Sequence, residues 1–215
     1  RGEQFQREKF LLLVKMLVSG HPQAGKLLGS HIQGNWDLLG ELLDFYEKGE
    51  SRLTGTLGKE NENIRRFLLN IDTRQFPETG RFHNAIPTRL LLLGNEHTFR
   101  NFLSRAIKEV GFAQGLRRIM SDLPNNIKAL AAGMDISPYR HNEDLVAMFN
   151  AAGNPQARTI VAAERVGDSF GFLYTHSITD FNSNEFRQLV DASDRYLADL
   201  DQKGIDHLVD RLKAA

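Results

Sequence analysis

Cysteine is absent from the chain, which excludes disulfides, thiolate zinc sites and a cysteine nucleophile. That absence fits a reducing compartment, so an intracellular (cytoplasmic) location is the expectation. Long apolar runs are missing as well. The longest, residues 10–14 and 90–93, fall far short of the roughly 20 residues that span a bilayer, and no membrane partner is expected. No basic-apolar-small leader opens the chain, which starts Arg1-Gly2-Glu3 without a methionine. The expectation is a fragment of a larger protein. Charge of one sign is not in excess either: 27 basic residues balance 27 acidic ones. Whole-body attraction to nucleic acid or acidic lipid is therefore not expected to drive binding.

What is present is a composition of 41% hydrophobic and 25% charged residues over 215 positions, enough for a sizeable core. The clearest element lies at 36–48. Asn35 is a good N-cap, and Leu38, Leu39, Leu42, Leu43 and Tyr46 follow at helical spacing. Lys48-Gly49 then closes the run as a C-terminal signal. Weaker helical patterns read at 3–19, 23–33, 61–70, 88–93, 97–110, 112–123, 126–134, 142–152 and 155–165, with a last long helix at 183–201 and a terminal one at 205–213. Residues 50–59 are polar and glycine-containing and read as a loop; 72–87 reads as an irregular connection and a possible subdivision of an otherwise single domain, 1–215. At 167–180, Phe170, Phe172 and Tyr174 alternate with other residues, so a short hairpin near 159–175 competes with helix. The fold class expected is mainly α, an irregular helical array or stacked helix-turn-helix units.

Certain patterns recur. Gly34-Asn35, Gly94-Asn95 and His141-Asn142 each precede apolar residues at helical spacing, and Gly20-His21-Pro22-Gln23-Ala24 is echoed by Gly153-Asn154-Pro155-Gln156-Ala157. Each echo is followed by two branched apolar residues, two small ones and a Gly-Asn or Gly-Asp. The pattern resembles that of ankyrin repeats, best at 34–49 and 153–168, where a Gly-His or Gly-Asn turn enters a helix with a paired apolar stretch. The resemblance covers about half the chain, lacks any Thr-Pro-Leu-His segment and keeps no regular period. It implies stacked helix pairs and a scaffold that binds another protein.

Motifs for chemistry are few. Gly20 to Leu27 has the glycine and lysine spacing of a phosphate-binding loop. Leu27, however, stands where that loop needs Ser or Thr, Pro22 removes an amide, and a helix rather than a strand precedes it. A helix-turn-helix is the favoured reading there. Residues 127–141 resemble a DNA-binding helix-turn-helix around Leu130-Ala131 and Ile136-Ser137, with Arg140 placed to reach DNA and Arg117 and Arg118 upstream; zero net charge and Glu143-Asp144 argue against it. The seven histidines form no HExxH or HxH pair, and no Gly-x-Ser-x-Gly elbow occurs. No metal, cofactor or catalytic residue is therefore assigned; an enzyme assembled from distant residues, around His141, Glu143 and Asp144, is the third reading. The leading expectation is a non-catalytic protein–protein interaction module, with nucleic-acid binding as the alternative. Candidate partner-binding residues are Trp36, Arg65, Arg66, Arg117, Arg118, Arg140 and His141. Trp36, the sole tryptophan, is equally suited to an exposed anchor or to the core.

Overall fold

The computed structural model describes residues 2–49, 60–77 and 85–175, with 191, 198, 201–203, 206 and 210; within the last long helix, side chains are described through Asp168. The expected loop at 50–59 and the helices at 183–201 and 205–213 fall wholly or largely outside these residues. Among those described, ten α-helices and no strand are found. The protein is mainly α-helical. Its residues group into two compact units, Arg1–Ser104 and Arg105–Ala215.

The first unit holds α1 (Gly2–Val18), α2 (Ala24–Ile32), α3 (Trp36–Lys48), α4 (Glu62–Leu69) and α5 (Ala85–Leu93), with nearly all of α6 (Glu96–Ala106). Helix α3 has the bounds its caps dictate. Asn35 Oδ1 accepts the Leu38 amide at 3.1 Å, and Gly49, at φ 71°, returns its own amide to the Phe45 carbonyl. Leu39, Leu42 and Leu43 are fully buried. Phe45 is buried as well, while Leu38 and Tyr46 are only partly covered, so the apolar stripe is rotated slightly from the one the spacing implies. These side chains meet Phe10, Val14, Leu28, Ile64, Leu68 and others in one core, because α1 packs on α2 and α4 while α3 packs on α2, α4 and α5. Helix α5 starts at Ala85 rather than 88, with Pro87 in its first turn, where the missing amide has no partner to lose.

The second unit holds α7 (Val110–Arg118), α8 (Asn125–Gly133), α9 (Glu143–Ala151) and α10 (Pro155–Thr175), with α9 packed against the other three. The helix expected at 97–110 is broken. The amides of Lys108 and Glu109 both turn back to the Arg105 carbonyl, ending α6. Ile107 and Val110, at the end of the expected run, are exposed. The run expected at 112–123 divides into α7 and a single 3-10 turn at Met120–Asp122.

The short hairpin considered near 159–175 is not formed; that stretch lies within α10. Asn154 caps the helix by accepting the amides of Gln156 and Ala157, and Pro155 occupies its first position. The β-branched Thr159 is accommodated because its hydroxyl donates to the Gln156 carbonyl at 2.9 Å. Ile160, Ala163 and Val166 are buried at successive three-residue steps, the spacing of a helix face rather than of a strand.

Three asparagines share a second role. Asn95, fully buried, accepts the Thr98 amide at the start of α6 and donates to the carbonyls of Leu68 and Ile71, at 2.8 and 2.9 Å, just where α4 ends. Asn154 does the same at α10, donating to Ala131, Ala132 and Met134 at the end of α8. Asn142 caps α9 and reaches the Ala106 carbonyl at 3.5 Å. Helix ends leave backbone donors and acceptors without partners, and one amide side chain here serves the start of one helix and the end of an earlier one.

Candidate functional site

A groove of about 600 Å³ opens in the first unit between α2 and α4. From α2 and its C-cap Gln33 it is walled by Gly25, Lys26, Gly29, Ser30 and Gln33, which recur at four-residue steps and so share one face. From α4 come Asn63, Arg66, Phe67 and Asn70, again one face. Gly20, just before α2, lies against Asn63 at one end, and further along Gly29 of α2 lies against Phe67 of α4. The first end holds Gly20, His21 and Pro22; the second holds Ile71, Asp72, Gln75 and Phe76 around a 3-10 turn, Thr73–Gln75. The phosphate-loop-like segment at 20–27 is thus a turn between two helices and the beginning of α2, and it forms one end of this groove.

A Cβ at Gly25 or Gly29 would stand 3.9 or 3.8 Å from the Phe67 ring, an ordinary contact distance, so the ring faces both glycines across the groove. In the sequence this glycine pair reads only as a weak point in a short helix; its four-residue spacing puts both glycines on the one face that meets Phe67.

Electrostatically the groove is one-sided. Asp72, the one carboxylate among the described residues of its wall, is gripped by Arg74 with contacts of 2.6 and 3.0 Å. The Arg74 guanidinium holds the Asp72 carboxyl down to about 2. Arg66 is paired with Glu62 of its own helix at 3.2 Å. Lys26 has no ion-pair partner among the described residues. Ser30, Gln33 and Gln75 likewise make no side-chain hydrogen bond there, whereas Asn63 and Asn70 donate to the carbonyls of Val18 and Arg66. His21 Nδ1 accepts the Gln23 amide, which leaves Nε2 as the proton-bearing nitrogen of the neutral ring.

The residues singled out from sequence divide between the two units. Trp36 sits on the first turn of α3, its indole nitrogen donating to the Pro77 carbonyl at 2.9 Å and its ring 4.7 Å from that of Phe76. It is partly buried and packs against the core, next to the groove's Phe76. Arg66 lines the groove; Arg65 pairs with Glu62 at 3.8 Å and lies near Tyr46, whose phenol is raised chiefly by burial. In the second unit Arg117 pairs with Asp144 at 3.0 Å, Arg140 donates to His141 Nε2 at 2.9 Å, and Arg118 is exposed at the end of α7.

These contacts engage His141 and Asp144 separately, with different arginines. The segment at 127–141 contains α8 and then only a 3-10 turn, Ser137–Tyr139, where a DNA-reading helix would need to lie. Among the described residues no group of three or more His, Asp or Glu side chains is placed to hold a metal ion. No helix there is long and apolar enough to cross a membrane. Comparison of the chain with protein-family models, with curated proteins and with solved structures finds no match.

Proposed function

We propose that the chain is a non-catalytic protein-interaction module, a loosely ankyrin-like stack of short helices whose partner is another protein. The observation that carries this reading is the open groove between α2 and α4, about 600 Å³, whose wall includes Lys26, Ser30, Gln33 and Gln75, polar side chains without partners among the described residues. Its size falls within the roughly 300–1,000 Å³ typical of binding clefts. Short helices joined by tight turns give such a surface a rigid backing, since each helix is held by its neighbours. The recurrent asparagine caps support the stacked reading, because the same joint is built at α6 and at α10.

A photoreactive residue placed at Ser30, in the groove, tests the proposal against the same residue at Gln114, exposed on α7. In lysate, discrete protein adducts are expected from position 30 and not from position 114. Adducts equal at both positions, or none at position 30, would remove the support for the reading.

A further inference from the structure

The groove's chemistry narrows what it takes. Among the described residues its wall contains one formal charge without an ion-pair partner, the Lys26 ammonium, while the carboxylates of Asp72 and Glu62 are held by Arg74 and by Arg65 and Arg66. An anionic group is therefore the complementary ligand charge at the α2 end, and His21 Nε2 adds a donor there. Further along, Ser30, Gln33 and Gln75 each offer both a donor and an acceptor. That is the requirement of an extended main chain, whose amides and carbonyls alternate. Phe67 and Phe76 supply apolar surface between them. From Gly25 to Gln33 the α2 wall runs roughly 12 Å at about 1.5 Å per residue, which spans about four residues of extended chain at about 3.3 Å each.

We infer that the groove between α2 and α4 binds a short extended peptide segment of a partner protein, with an Asp or Glu side chain set against Lys26. This rests on the proposed protein-binding role and names its site and partner chemistry. The bound segment runs alongside the two helices, its carboxylate near Lys26 and its main chain facing Ser30, Gln33 and Gln75. Phe67, facing Gly25 and Gly29, gives the segment apolar surface to lie on.

Peptide display against the full chain provides the test. Selected sequences are expected to share an Asp or Glu within a segment of four or more residues. Lys26→Glu should weaken the best peptide at least tenfold, and Gln33→Ala, which leaves the charge in place, should weaken it by a smaller factor. Lys128→Glu in the second unit should leave it unchanged. Raising salt should weaken binding to the wild type, since an exposed ammonium is screened. Lys26 is exposed, so its substitution leaves the helical circular dichroism intact, and that spectrum is recorded for each variant.

Selected peptides without acidic residues, or acidic peptides indifferent to Lys26→Glu, would overturn the inference. Succinate displacing the best peptide at concentrations below that peptide's own Kd would overturn it too, by assigning the site to a small carboxylate. Protein adducts at position 30 with no peptide selected would overturn the extended-segment ligand alone and leave the interaction module standing. Failure of both experiments would remove both.

Discussion

Asn95 does more than cap a helix, and its substitution should measure the difference. Asn95→Ala removes the cap on Thr98 and leaves two carbonyls, of Leu68 and Ile71, without their partner. A buried polar group left unpaired costs about 1–3 kcal/mol, so a loss of about 2–3 kcal/mol is expected in urea denaturation. Asn35→Ala removes only a cap, on a residue exposed to water, and should cost about 1 kcal/mol. Equal losses would mean that the second role of Asn95 adds nothing. Asp72 offers a test by acid. Its folded carboxyl titrates near 2, below the ordinary 3.8. The stabilisation from Arg74 is therefore fully present above about pH 4 and is lost as pH falls toward 2. Asp72→Asn should flatten stability between pH 4 and 2 relative to the wild type, as followed by denaturation midpoints.

At the scale of single helices, α3 is the clearest case. Leu42→Ala should cost about 2–5 kcal/mol, the range for deleting a buried leucine side chain. Glu41→Ala, on the exposed face, should stay within about 0.5 kcal/mol. Glu47 is exposed as well, but it is tied to another helix. It accepts two contacts from Arg89, at 3.1 and 2.7 Å, and Arg89 also reaches Asp44, tying α5 to α3. Glu47→Ala should therefore cost more than Glu41→Ala, about 1 kcal/mol. The caps of α3 were legible because they are local: an asparagine before the helix and a glycine after it act within one turn. The break after Ala106 and the length of α10 were not, because apolar spacing alone marks neither. The Arg105 carbonyl takes two returning amides in one case, and in the other the face carrying Ile160, Ala163 and Val166 is buried.

On the scale of the whole chain, balance of charge is the governing property. Equal numbers of acidic and basic residues, and an isoelectric point near 7.3, leave little net repulsion between copies at neutral pH. Solubility should pass through a minimum near that pH and rise on either side; a maximum there, in precipitation curves at low salt, would contradict it. If the groove binds as proposed, recognition rests on local charge such as the Lys26 ammonium, which has no ion-pair partner among the described residues, rather than on the total. The groove itself was only half legible. Arg66 was singled out among the arginines, but Gly25, Gly29, Phe67 and Gln75 come from segments far apart in the chain, and no periodicity within one helix shows that two helix faces will lie alongside each other.

The Asn95 joint has a consequence for labelling in heavy water. Because its side chain holds the first turn of α6 to the last turn of α4, the Thr98 amide opens only when both helix ends come apart. Its exchange clock should therefore run at the slow pace of a large opening. The Leu38 amide, bound to the exposed Asn35, is released by fraying of a single turn and should exchange far sooner. Two amides with the same kind of partner at nearly the same distance would thus keep very different time.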